Sequence, residues 1–377
     1  MPAADDLALY IHWPFCLKKC PYCDFNSHVR DTVDAEAWQA ALMADLVHEH
    51  ALTQGRRIGS IFFGGGTPSL MPPALAGALI DEAARLWGLT PDCEITLEAN
   101  PTSYEARKFE DFLSAGVNRV SLGVQSLDDD ALAFLGREHS AAEAVKALEN
   151  AQGLFGRVTF DLIYARPGQT AKEWEAELRR ALAFGTEHLS LYQLTIEPGT
   201  GFAGAVARGR LSPMDADEAA DFFVQTQEQT AAAGLPAYEI SNHAKPGAQS
   251  DYAGIGPGAH GRRCGTATVR HKKPEAFLRR VAENGHGIAE ERALGREEAL
   301  SEALLMGLRL AEGVDLAALA QRFGTTPDAL IDAGRADFYA DLGFVIHTAD
   351  HLTITPQGMP LLDALLAELV AADLCTA

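Results

Sequence analysis

The run Leu7-Ala-Leu-Tyr10-Ile-His12-Trp-Pro-Phe-Cys16-Leu-Lys-Lys-Cys20-Pro-Tyr22-Cys23-Asp-Phe25 decides how the chain is read. Leu7–His12 is a short apolar strand, and the three cysteines follow it at once. They therefore stand on a loop at that strand's C-terminal end. Where thiols stay reduced, a cluster this tight suits a metal rather than disulfides. Two metals fit the bare spacing. A [4Fe–4S] cluster commonly takes four cysteines, so three would leave one iron open to an outside chelator. A structural zinc site would need a fourth ligand, for which His12 or His28 is available. Zinc sites usually pair two ligand hooks, and no second hook stands elsewhere in the chain. Cys93, Cys264 and Cys375 are scattered. Cys93 borders a strand-like run and reads as a small apolar side chain.

Downstream, strand-like and helix-like segments alternate. Helical periodicity over Ala35–Leu52 leads to a strand, Ser60–Phe63, which ends in Gly64-Gly65-Gly66. A helix over Pro72–Trp87 precedes the strand Glu94–Glu98. A helix over Tyr104–Leu113 precedes the strand Arg119–Gly123. Helices Asp128–Leu135 and Ala141–Leu154 lead to the strand Val158–Leu162. Helix Ala171–Phe184 then precedes a sixth strand, His188–Gln193. Six such alternations predict an α/β fold, a parallel sheet with helices outside it. Polar residues recur at the strand ends, which favours a partial (β/α)6 barrel over a doubly wound sheet.

Pro236–Arg263 is rich in Gly, Pro and His and reads as loop. From about Gly287 the composition shifts to Glu, Ala and Leu. Glu297–Leu310 and Asp315–Phe323 read as amphipathic helices, Val345–Ile354 as a hairpin and Pro356–Val370 as a closing helix. That order predicts a smaller C-terminal α/β domain of winged-helix type. The expected division is a barrel over 1–235, a connecting segment over 236–286 and a C-terminal domain over 287–377.

The chain has 377 residues, 47% of them hydrophobic, enough for one large core and a smaller one. Its net charge of −21 repels nucleic-acid phosphates, so DNA or RNA partners are not expected, even for a winged-helix domain. No apolar stretch approaches the roughly 20 residues of a membrane span. The first nine residues lack the basic and apolar regions of a secretory signal. A cytoplasmic location is the expectation, with peripheral membrane contact left open.

The strand ends collect polar residues. Gly65, Gly66 and Thr67 follow the second strand, in a run whose glycines let a ligand approach the backbone. Glu98 ends the third, in Leu97-Glu98-Ala99-Asn100-Pro101. Gln125 follows the fourth, in Gly123-Val124-Gln125-Ser126, and Asp161 ends the fifth. Arg137 lies just after the first part of the fourth helical region. Singly, each could cap or face solvent: Asn100-Pro101 reads as a strand stop, and Ser126 or Asp128 as a helix cap. Together they place Glu, Gln and Asp at the same end of successive strands as the cysteine loop, in β/α barrels the end that carries the chemistry. A ligand with amine, hydroxyl and carboxylate groups requires such convergence.

Cys-x3-Cys-x2-Cys after Tyr-Ile-His-x-Pro-Phe, followed by Gly-Gly-Gly-Thr-Pro, Glu-Ala-Asn-Pro and Gly-Val-Gln-Ser, resembles the radical S-adenosylmethionine (SAM) superfamily. More narrowly, the set resembles the oxygen-independent coproporphyrinogen III oxidase-like group, over nearly the whole chain. The resemblance implies a radical SAM barrel with a HemN-type C-terminal domain. It implies a [4Fe–4S] cluster held by Cys16, Cys20 and Cys23, with the SAM amino and carboxylate groups on the fourth iron. Tyr10, Tyr22, Gly65, Gly66, Thr67, Glu98, Gln125, Arg137 and Asp161 would then contact SAM, Asp161 at the ribose and Gly66 and Thr67 at the amino-acid end. One-electron reduction would cleave SAM.

Within the group, the oxidases continue Cys-x-Cys after the third cysteine, and here Phe25 stands in that place. Tyr238-Glu-Ile-Ser-Asn242 and Gly254-Ile-Gly-Pro-Gly-Ala-His-Gly261 also look like the HemW branch, whose members are haem chaperones. That branch implies haem as cargo, haem-requiring respiratory proteins as acceptors, an electron donor for the cluster and no oxidase activity. SAM-dependent oxidative decarboxylation of coproporphyrinogen III is the alternative, and no residue is assigned as catalytic. The chain departs from the branch at one place. A His-Asn-x-x-Tyr-Trp motif associated with haem binding is absent, and the run there reads Gly247-Ala-Gln-Ser250-Asp251-Tyr252. His243, His260 and His271 become the nearby candidates for a haem ligand, each also readable as a hydrogen-bonded loop histidine.

Overall fold

The computed structural model describes residues 6–244, 252–263 and 265–371. The run at 245–251, with the departure from the haem motif, and Cys264 and Cys375 lie outside the described residues. The chain divides into two compact units. One comprises Met1–Met214 with Gly247–Arg292, the other Asp215–Pro246 with Ala293–Ala377.

The first unit is built on parallel strands that run in chain order. They are β1 (Leu7–Trp13), β2 (Ile58–Gly65), β3 (Leu89–Ala99), β4 (Arg119–Gln125), β5 (Arg157–Tyr164) and β6 (His188–Gln193). Between them lie α1 (Ala35–Leu52), α2 (Pro73–Trp87), α3 (Ser103–Ala106), α4 (Phe109–Ser114), α5 (Asp129–Phe134), α6 (Ala141–Leu154) and α7 (Ala171–Leu182), and α8 (Gly201–Ala207) follows β6. The strands are buried and apolar, as covered parallel strands must be. Leu9, Ile11, Phe63, Leu97, Leu122, Phe160, Leu162 and Leu189 form their core. Helix starts are written in the sequence: Ser140 with Glu143, and Thr170 with Glu173, close capping boxes at α6 and α7. The six alternating strands and helices form the partial barrel that the sequence predicts.

Two local readings are corrected. The helix expected over Tyr104–Leu113 is broken at Arg107-Lys108 into α3 and α4. The Gly- and Pro-rich stretch to Arg263 is not loop throughout. It carries β7 (Tyr252–Ile255) and β8 (His260–Arg263), followed by β9 (Thr266–Arg270) and β10 (Ile288–Ala293). β7 pairs parallel with β1, Tyr10 opposite Gly254, β8 pairs antiparallel with β7, and β9 antiparallel with β8. The sheet therefore extends beyond β1 on the side away from β2.

This extension is locked to α1 by buried charge. Arg270 donates to Asp45 at 3.1 Å and to Glu49 at 2.6 Å, and all three side chains are fully buried. Asp45 also accepts the Gly256 and Gly287 amides, each at 3.1 Å. Every charge is thus paired and hydrogen-bonded, the condition on which buried ions are tolerated.

The second unit packs Leu304, Leu308, Leu316, Leu330, Leu352 and Leu369 into its own core. Helices Arg296–Leu308, Leu316–Phe323 and Ala333–Asp341 precede a hairpin of Val345–His347 and His351–Ile354, joined by Val314–Asp315. The closing helix is shorter than expected, Leu362–Leu369, because Pro360 sits in a separate turn of 3-10 helix at Met359–Leu361.

Candidate cofactor site at the barrel mouth

Register brings the cysteine loop to the glycine run. Trp13 pairs with Gly65, and beyond the strand the Gly66 amide donates to the Trp13 carbonyl at 2.7 Å and the Thr67 amide to that of Phe15 at 2.8 Å. Phe15–Cys16 then pairs with His28–Val29, closing the loop on itself. Cys16, Cys20 and Cys23 are partly buried and unbridged. Among the described residues, no three His, Cys, Asp or Glu side chains form a group ready to hold a single ion.

Each of the three sulfurs has a hydroxyl or guanidinium beside it. Thr67 Oγ1 donates to Cys16 Sγ at 3.4 Å and Arg137 Nη1 to Cys20 Sγ at 3.4 Å. Cys23 Sγ meets Ser27 Oγ at 3.9 Å. Burial pushes the Cys16 and Cys23 thiols up, opposed by these hydroxyls. Asn100 joins two of the donors: its Nδ2 donates to Thr67 Oγ1 at 3.3 Å and its Oδ1 accepts from Arg137. A continuous polar chain thus runs Cys16–Thr67–Asn100–Arg137–Cys20. The sequence reads Asn100 only as a strand stop. Its place between Glu98 and Pro101, in a motif already singled out, was the available signal.

Arg137 also donates to the Gly123 carbonyl at 2.9 Å and the Tyr22 hydroxyl at 3.5 Å. Burial disfavours its charge, but Tyr22 and Cys20 outweigh that and raise it. Tyr10 stands on β1, its hydroxyl 2.9 Å from His12 Nδ1. His12 Nε2 reaches the Asn26 carbonyl at 2.9 Å, so Nε2 carries the proton and Nδ1 accepts from Tyr10. His28 turns to Asn26 Oδ1 at 3.1 Å. Both histidines considered as zinc ligands are therefore engaged at Asn26.

Three strand-end residues carry the remaining polarity. Glu98 accepts the Gly65 amide at 3.2 Å. Burial, then the Asp161 charge, raise its carboxyl to about 8. Burial raises Asp161 to about 7 against a hydrogen bond from Ser190. Gln125 adopts φ +68°, a left-handed backbone unusual for a residue with a side chain, and such strain gathers at functional sites. Gln125 Oε1 and Arg137 Nε are buried without a hydrogen-bond partner among the described residues. Two carboxyls held near neutrality by burial and an unpaired amide oxygen suit a ligand that brings cations and donors. SAM, with its ammonium, sulfonium and ribose hydroxyls, fits that set.

The remaining expectations fall into place locally. Asp128, rather than Ser126, caps α5 by accepting the Ala131 amide at 2.9 Å. Ser126 instead bonds Glu177 of α7. Cys93 is buried, its thiol pushed up to about 11 by that burial. His260 is exposed at the start of β8, His271 lies just after β9, and His243 is buried in the second unit.

Comparison with known proteins places the chain in a family. The Radical SAM superfamily model matches residues 10–181, and the HemN C-terminal domain model matches 294–361. The chain is 38% identical to the heme chaperone HemW of Escherichia coli, over 97% of this chain and 98% of that protein. It is 40% identical to the bovine mitochondrial radical S-adenosyl methionine domain-containing protein 1, over 83% of this chain and 75% of that one. Its fold resembles the solved Escherichia coli coproporphyrinogen III oxidase HemN, with a TM-score of 0.83 and 22% identity, covering 96% of this chain and 89% of that one.

Proposed function

The chain belongs to the radical SAM superfamily and, within its oxygen-independent coproporphyrinogen III oxidase-like group, to the HemW family; from that premise, we propose that it is a cytoplasmic haem chaperone. In this reading, Cys16, Cys20 and Cys23 hold a [4Fe–4S] cluster and the barrel mouth binds SAM. Haem is the cargo, haem-requiring respiratory proteins are the acceptors, and a separate protein supplies electrons. The observation that carries the cofactor part is the polar neighbour at each sulfur: Thr67, Arg137 and Ser27 stand at Cys16, Cys20 and Cys23. Such partners fix thiolate ligands and tune the potential of what they hold.

When bound and reduced, the cluster supplies one-electron cleavage of SAM. This chain's own residues do the positioning. Arg137 neutralises the Cys20 thiolate and is itself fixed by Asn100 and Gly123. Glu98 and Asp161 offer carboxylates to the cationic and hydroxyl groups of SAM, and Gln125 offers its unpaired oxygen. Gly65, Gly66 and Thr67 bring backbone close to the amino-acid end, with Tyr10 and Tyr22 flanking them.

Phe25, 62% exposed, stands where the oxidases carry a further cysteine, and this supports chaperone over oxidase. No helix among the described residues is long and apolar enough to cross a membrane. Anaerobically prepared protein tests the reading in one experiment with SAM, reductant and either haem or coproporphyrinogen III. Haem binding without protoporphyrinogen formation is the expected result. Turnover of the porphyrinogen would overturn the chaperone reading.

A further inference from the structure

Asn26 stands three residues after Cys23, and nothing in the cysteine spacing points to it. Its Nδ2 donates to the Pro257 carbonyl at 2.8 Å and to the Lys272 carbonyl at 3.0 Å. Its Oδ1 accepts from His28 Nε2 at 3.1 Å, and its backbone carbonyl from His12 Nε2 at 2.9 Å. Two carbonyl partners at one end of the amide demand the NH2 group there. A carboxylate of the same shape could not make those two bonds.

The two carbonyls lie 231 and 246 positions along the chain. Pro257 is in the turn between β7 and β8, and Lys272 just after β9. These two places are already tied to each other, because the Gly258 amide donates to the His271 carbonyl at 3.1 Å. They also border the buried lock on α1, where Asp45 accepts the Gly256 amide and pairs with Arg270. The turn makes room for the cysteine loop. Gly256 and Gly258 have φ +93° and +81°, and a Cβ would meet the His12 carbonyl at one and the Asn26 amide at the other.

On its other side Asn26 leads to two of the three cysteines. Ser27, buried and next in sequence, stands 3.9 Å from Cys23 Sγ. His28–Val29 pairs with Phe15–Cys16. Resting on the cluster reading above, we propose that Asn26 is the positioning residue of the cysteine loop. It fastens the loop to the sheet extension and holds Cys16 and Cys23 in place before any iron arrives. A loop ordered in advance loses less entropy when it takes up its ligand, and so holds it longer.

The test uses the full chain, reconstituted anaerobically, and follows iron release to an excess of ferrous chelator by the fading visible absorption. Asn26→Ala is expected to release iron about tenfold faster or more, as loss of an outer partner of metal ligands does. Asn26→Asp keeps the acceptor for His28 and loses both donors, so it should release iron as fast. Gly258→Ala should do the same from a distant part of the chain, by displacing the amide. In the double variant Asn26→Ala/Gly258→Ala the two effects should not add, because the atom that the new Cβ meets is gone. Ser140→Ala removes the α6 cap and measures stability alone. It should lower the melting temperature and leave iron release unchanged. Helical circular dichroism shows which variants fold, and Gly258→Ala carries the comparison if Asn26→Ala does not. Release from the Asn26 and Gly258 variants no faster than from Ser140→Ala, or Asn26→Asp as slow as the unaltered chain, overturns the proposal and leaves the cluster standing. Effects that add fully in the double variant also overturn it. An unaltered chain that holds no cluster overturns both.

Discussion

Glu98 and Asp161 are carboxyls that the barrel walls have raised to about 8 and about 7. A carboxyl whose value rises on folding holds its proton more tightly in the folded chain. Its contribution to stability is complete below the unfolded value, near 4, and is lost as pH climbs through the folded value. The unloaded protein should therefore lose stability between about pH 5 and pH 8. Glu98→Gln keeps an acceptor for the Gly65 amide and removes the charge. Its melting temperature should match the parent at the acid end and exceed it by a few degrees at the alkaline end, where about 1 kcal/mol moves the midpoint by ~2–4 °C. An offset that is the same at both ends would contradict the assignment. These carboxyls and Gln125 were legible because each stands at a strand end in a readable motif, whereas Arg137, in a helical region, came with the family resemblance. Ser27 and Ser190 were not, because each meets its partner only once the loop or the neighbouring strand is in place.

At the scale of elements, α7 holds the ends of two barrel strands. Its Glu177 accepts from Ser126 and from the Leu127 amide at 2.8 Å, just after Gln125 in β4. It also pairs with Arg166 at 2.8 Å, just after Ala165, which follows β5 with φ +55°. Gln125 and Ala165 are the two non-glycine residues with positive φ among those described, and one buried carboxylate serves both turns. Glu177→Ala leaves Arg166 buried and unpaired, which should cost about 3–5 kcal/mol in urea unfolding and weaken SAM binding at Gln125. A loss under about 1 kcal/mol would show that Glu177 does not hold these turns. The capping boxes of α6 and α7 made those helices readable from local residue types. β7 and β8 were not readable so. Each is four residues long, and β7 pairs with β1 across most of the unit's length. The turn between them relies on glycine: Gly258 has φ +81°, and a Cβ there would lie 2.3 Å from Asn26 Nδ2 in the cluster loop.

At the scale of the whole molecule, the net charge of −21 sets which partners approach quickly. Attraction between opposite charges accelerates encounter and fades with salt. Reduction of the cluster by a cationic one-electron donor should slow severalfold as salt rises, and reduction by an anionic one should quicken. Equal salt dependence for both, in stopped-flow bleaching of the visible absorption, would remove charge from the account of donor choice. The order of the barrel was legible because each strand–helix pair repeats one pattern. The extension beyond β1 was not, since the Arg270–Asp45–Glu49 lock joins residues more than two hundred positions apart and no local pattern records it. The central claim is that three thiolates hold one four-iron cluster. Iron content and Mössbauer spectra of the anaerobically reconstituted chain, beside Cys20→Ala, test it most directly. The account predicts about four irons per chain with a [4Fe–4S] signature, lost in Cys20→Ala while the helical circular dichroism stays. Full iron in that variant, or one tightly bound zinc in the parent, would contradict it.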